Sequence, residues 1–149
     1  MTYAPKHSMF AAKPVIVPIC AEDVSAVWDE AAPLIRLAQR RIERNVGMAD
    51  IYDDLTTGKA MLWTVRIEDK LRAVIITEVA QHPRRCAWRV LMIGGSGMSD
   101  WLDDGIEAMK RAARIAGCSV IEADARLGWA KIVPQRGFRE VSRAYEMEI

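Results

Sequence analysis

The stretch Trp88-Arg89-Val90-Leu91-Met92-Ile93-Gly94-Gly95-Ser96-Gly97-Met98-Ser99-Asp100-Trp101-Leu102 decides how this chain is read. Trp88, Val90 and Met92 alternate with Arg89, Leu91 and Ile93 at the period of a strand, and the glycines from Gly94 to Gly97 then break the pattern. From about Asp100 to Ala116 the period becomes helical, with Leu102, Ile106, Met109, Ala113 and Ala116 on one face. Ser99 is placed as the N-cap, Asp100, Asp103 and Asp104 lie near the positive end of the helix dipole, Arg111 and Arg114 near its negative end, and Gly117 closes the helix. With the β-type run Cys118–Ala123 that follows, this predicts one right-handed βαβ crossover.

Upstream, Trp63, Val65 and Ile67 alternate, Glu68-Asp69-Lys70 makes a polar turn, and Leu71, Ala73, Ile75, Thr77 and Val79 resume the alternation, so a hairpin leads through a His82-Pro83 turn into the Trp88 strand. Earlier still, Val15 to Ile19 is a β run that Pro18 marks as an edge. From Glu22 to about Asn45, Val24, Val27, Trp28, Ala31, Leu34, Ile35, Ala38 and Ile42 form one helical stripe, which Pro33 either kinks or divides. Met48 to Thr57 reads as a short helix ended by Gly58. Downstream, a short helix is expected from Leu127 to Gln135, stopped by Gly137, and Val141, Tyr145, Met147 and Ile149 predict a last strand. The fold class is α/β (α+β): a mixed sheet with a central antiparallel meander and helices on both faces, in a single domain over residues 1–149. Trp63 and Trp88 share the phase of their strands' apolar residues and are expected in the core, whereas Trp101 lies off its helix stripe and is expected at the surface, with Arg84 and Arg85.

A hydrophobic share of 51% with 28% charged residues over 149 positions excludes disorder and low-complexity architectures. Twenty-one basic against 20 acidic residues leave a net charge of +1, no field for a polyanion, so nucleic acid is not an expected partner. Cys20, Cys86 and Cys118 are odd in number and lack CxxC spacing, which argues for buried thiols in a reducing compartment rather than disulfides or zinc. His7 and His82 stand apart from any Cys or carboxylate pattern, so no metal is expected. Lys13, Pro14 and Pro18 interrupt the apolar N-terminal stretch, and no run is long enough to span a membrane, so the protein is expected in the cytoplasm.

Two readings of the glycine turn stay open. Free amides at a helix N-terminus can cradle a phosphate, which makes Ile93, Gly94, Gly95, Ser96, Gly97, Met98 and Ser99 candidate cofactor-binding residues. The bland alternative is a well-capped helix after a flexible turn. The segment fails the dinucleotide pattern at Asp100, lacks a P-loop ending and is not a nucleophile elbow. Three aspartates at the helix start, with no basic residue in the loop, predict weak binding of any polyphosphate. Glu122 and Asp124 share one face of their strand and Glu78 ends another, so these carboxylates are candidate general bases or plain strand-end charges.

From Ile51 onward the order of elements, with Cys118-Ser119-Val120-Ile121-Glu122 and the segment from Gly128 and Trp129 to Gly137-Phe138, resembles the GCN5-related N-acetyltransferases. The resemblance implies acetyl-CoA between splayed fourth and fifth strands, its pyrophosphate on the loop after the fourth. It departs from the family where no Gln or Arg precedes the glycines in register, where Val133 takes the place of a frequent acidic Tyr, and where Arg126 stands near a usual Asn. Chains with a Trp at the front of the long helix and a Gly-Trp-Ala segment are similar to ones encoded by tailed bacteriophages and prophages. Read with the departures, the resemblance implies a non-catalytic or vestigial structural or accessory virion subunit, in the host cytoplasm or the virion, whose partners are proteins or further copies of itself. The alternative it implies is an acetyl-CoA-dependent N-acetyltransferase acting on an amine.

Overall fold

The computed structural model describes residues 12–124, 129 and 131–149. Five strands, β1 (Val15–Ile19), β2 (Met61–Ile67), β3 (Lys70–Gln81), β4 (Cys86–Gly95) and β5 (Val120–Ala123), form one sheet in sequence order. The first four run antiparallel to their neighbours, and β5 lies parallel to β4 across the crossover. The β2–β3 connection is a two-residue turn in which Glu68 and Asp69 both take positive φ, 52° and 64°, matching the twist of the strands it joins.

Helices α1 (Val24–Gln39) and α2 (Met48–Thr56) cover one face of the sheet and α3 (Leu102–Ile115) the other. Both phases of the β2–β3 alternation are therefore buried: Leu62, Val74 and Ile76 pack with Ile35 and Leu55, while Trp63, Val65 and Ile75 pack with Met109 and Ala113. Trp63 and Trp88 meet edge to face with centroids 6.2 Å apart. The Trp63 indole donates to Thr77 Oγ1 at 3.0 Å, which satisfies both buried polar groups.

Pro33 neither divides nor ends α1. The carbonyl it leaves without a donor belongs to exposed Asp29, where water can serve it. The helix stops at Gln39 rather than near Asn45, because Arg41 and Ile42 bond back three residues and tighten the chain, and Gln39 Nε2 donates to Val46 O at 2.8 Å.

Several expectations need correction. Trp101 is buried, 2% exposed, with its indole donating to Ser96 O at 3.2 Å, and Gly105 one turn on leaves room for the ring. Cys86 and Cys118 form a disulfide at the closed end of the β4–β5 pair, and Cys20 is exposed. The argument from buried thiols to a reducing compartment therefore loses its premise. The expected helix 127–135 falls partly outside the described residues; those described carry a short 3-10 turn, Pro134–Arg136, which Gly137 ends at φ 91°. No strand forms from Val141 to Ile149, because that segment meets no strand to pair with, and Val141, Tyr145, Met147 and Ile149 stand exposed. His7 lies outside the described residues.

Candidate functional site

β4 changes partners along its length. It stays registered with β3 from Gln81↔Cys86 to Ala73↔Gly95, but β5 accompanies it only from Ala87↔Val120 to Val90↔Ala123. Thr77 pairs with Val90 and Ile76 with Met92, so Leu91 is an unmatched extra residue on β4, a bulge at the point where β5 departs. A bulge bends its strand and sharpens its twist. Among the described residues, Leu91 to Gly95 have no strand on the side away from β3. The glycine segment follows at the end of this stretch.

Ile93, Gly94 and Gly95 finish β4, so the expected turn begins only at Ser96. A Cβ on Gly94 would overlap the backbone carbonyl of Leu34, which means that glycine here lets α1 rest on the strand. Gly97 takes the left-handed conformation, φ 67°, beneath the Arg72 guanidinium. Met98 and Ser99 lie in a 3-10 turn, Met98–Asp100, before α3. Ser99 is therefore not the N-cap: Trp101 holds that position without a side-chain cap, because burying its ring draws the chain inward before the helix starts.

The charge at this loop differs from the sequence expectation. Arg72 is the unmatched residue of a second bulge, on β3, and its guanidinium reaches Asp100 at 3.4 Å while its carbonyl accepts the Ser96 amide at 3.1 Å. Arg136 Nε donates to Asp103 at 2.7 Å. Two of the three aspartates that would repel a polyphosphate are thus paired with arginines remote in sequence, and Arg72 brings positive charge to the glycine loop.

Below the bulge, Arg89 on β4 bridges its neighbours, donating to Glu78 Oε1 and Glu122 Oε2 at 3.2 Å each. His82 Nε2 lies 3.0 Å from Glu122 Oε1, so the histidine is not isolated from carboxylates as the sequence suggests; its partner is 40 residues away. Trp88 and Ile121 point to the α3 core, so the alternating Arg89 and Glu122 face the α1 and α2 side. Burial alone would push the Glu122 carboxyl up, but hydrogen bonds from Arg89 and His82 outweigh it and hold the carboxyl below the usual glutamate range. Asp124 lies one residue past β5, exposed and outside this cluster. The structure thus joins Glu78 to Glu122 through Arg89 and leaves Asp124 out. Arg72 carried no periodic or motif signal, and the strand alternation of Arg89 and the turn at His82 gave neither a role; strand register brings all three in.

Neither a protein-family model nor a curated protein matches the sequence. Solved structures do. Ribosomal-protein-alanine N-acetyltransferase from Brucella melitensis biovar Abortus 2308 superposes with a TM-score of 0.66 at 16% identity, over 91% of this chain and 99% of that one. A GCN5-related N-acetyltransferase from Ralstonia eutropha JMP134 gives 0.63 at 11% identity, over 91% and 98%. An aminoglycoside N-acetyltransferase in complex with CoA gives 0.63 at 10% identity, over 93% and 95%. This chain has the GCN5-related N-acetyltransferase fold. Among the described residues, no helix is long and apolar enough to cross a membrane and no His, Cys, Asp and Glu group forms a metal site.

Proposed function

We propose that β4 and β5 part beyond Val90, and that the chain binds acetyl-CoA in the wedge between them and transfers the acetyl group to an amine. The observation that carries this reading is that β4 continues past its last pair with β5, Val90↔Ala123, so that Leu91 to Gly95 have no strand among the described residues on that side, beside a glycine loop with Arg72 over it. Ile93, Gly94, Gly95, Ser96, Gly97, Met98 and Ser99, with Arg72, would hold the pyrophosphate, and the open edge of Leu91 to Gly95 would take the pantetheine amides. Bound there, acetyl-CoA supplies an activated acetyl thioester. Of the candidate bases, the paired Glu122 is a weak proton acceptor, and His82, which it holds by hydrogen bond, faces solvent more openly.

Two observations favour a second reading, a non-catalytic or vestigial protein of this fold that binds acetyl-CoA with little transfer: Arg89 engages both glutamates, and Val133 can protonate no leaving thiolate. Trp101, expected at the surface with Arg84 and Arg85, is buried and offers no partner a contact. Release of free thiol from acetyl-CoA in the presence of amines, including protein N-termini and aminoglycosides, decides between them. Amine-dependent release supports the transferase, and binding without release supports the second reading.

A further inference from the structure

Glu122 divides its two carboxylate oxygens between two partners. Arg89 donates to Oε2 at 3.2 Å, and the Nε2 of His82 lies 3.0 Å from Oε1. Burial opposes the charge, but these two bonds outweigh it, so at neutral pH the carboxyl is ionised and can only accept. Nε2 therefore carries the ring proton in the neutral imidazole, and the lone pair is on Nδ1, which meets no hydrogen-bond partner among the described residues. Arg89 is fixed in turn by Glu78 Oε1 at 3.2 Å. Glu122 pairs with Arg89 one rung before Val90↔Ala123, where the ladder ends and the candidate site begins. The His82 side chain is 39% exposed against 28% for Glu122, so the ring is the more open of the two.

We propose that Arg89, Glu122 and His82 form a relay in which His82 Nδ1 takes the proton of the acceptor amine and Glu122 is a positioning residue that sets the tautomer and direction of the ring. The relay rests on the transferase reading and adds to it the group that activates the acceptor. The acceptor arrives as an ammonium ion and gives one proton to Nδ1. Its freed lone pair attacks the thioester carbonyl carbon, so that the C–N bond forms and the C–S bond breaks. The departing sulfur takes the second amine proton, and the imidazolium returns its own to water. Glu122 stabilises the imidazolium while it lasts, and with Arg89 on its other oxygen it is a poor base itself. The other charged groups about the ring are Glu78 and Arg89 beyond Glu122, and Arg84 and Arg85, which line a cavity with it at the β3–β4 turn. The arginines favour return of the proton to water. Asp124 lies outside the cluster.

Amine-dependent thiol release by the full chain tests this, read together with acetyl-CoA binding by calorimetry. His82→Ala should lower kcat by roughly 100-fold or more, the scale of general-base catalysis, with acetyl-CoA affinity unchanged. The acidic limb of the wild-type pH–rate profile should be absent from that variant, and imidazole added to the solution should restore part of its rate. Glu122→Gln should lower kcat by roughly 10- to 100-fold, the cost of a misplaced reacting group, again with affinity unchanged. The two losses should not add: a residue that acts through His82 has nothing left to do without it, so the double variant should be no slower than His82→Ala. Additive losses overturn the relay, and so does a wild type that transfers acetyl while either single variant keeps its full kcat. A wild type that binds acetyl-CoA yet releases no thiol with any amine overturns the transferase reading and the relay together.

Discussion

The two halves of β4 have the same length, yet they are held in opposite ways. From Cys86 to Val90 the strand is bound on both edges, by the ladder to β5, by the bridge from Arg89 to Glu78 and Glu122, and by the disulfide to Cys118. From Leu91 to Gly95 it is bound to β3 alone, and α1 rests on it at Gly94. A single unmatched residue separates a closed structural segment from an open one. The lesson is that the candidate site begins where the ladder to β5 ends, while the residues on β4 itself remain packed against α1.

Substitutions in the open half should damage packing first. Trp101→Ala removes the ring beneath the glycine loop and should cost ~3–5 kcal/mol, read by denaturant unfolding. Gly94→Val drives a side chain into the Leu34 carbonyl and should cost about 3 kcal/mol, at the upper end of overpacking penalties. Wild-type stability in either variant would mean that α1 or the loop does not lie as described. Arg72→Ala should weaken acetyl-CoA binding by roughly tenfold or more, the loss of one charge-assisted hydrogen bond, with little change in melting temperature. Gly137→Val should cost ~1 kcal/mol, because a β-branched residue resists φ 91°.

The closed half gives the smallest effect and a sign to check. Glu122 has a folded pKa below its unfolded value, so the stability it contributes is fully present above the ordinary glutamate range and is lost as pH falls through its lowered folded value. Glu30, held down chiefly by its hydrogen bond from Arg66, behaves alike. Glu122→Gln should therefore lower stability by under ~1 kcal/mol at neutral pH and leave it nearly unchanged in strong acid. A variant equally destabilised at both pH values would assign the residue a packing role instead.

The meander, α3 and the left-handed Gly117 were legible because each rests on local periodicity or a backbone requirement. What escaped depends on register between distant segments. Arg72 reaches Asp100 only because a bulge turns it, His82 finds Glu122 across two strands, and Cys86 meets Cys118 because β5 returns parallel to β4. Trp101 had a local clue in Gly105, one helical turn on, where a small residue makes space for a large one. The alternation from Val141 to Ile149 suggested a strand, but alternation alone names no partner, and the segment forms none.

The most direct test of the open half as a cofactor site is an amide-resolved nuclear magnetic resonance titration of the wild-type chain with acetyl-CoA. The account predicts saturable shifts concentrated in Leu91 to Ser99 and Arg72, with Cys86 to Val90 nearly still. Saturating acetyl-CoA that moves no amide in that segment, or moves only others, would contradict it.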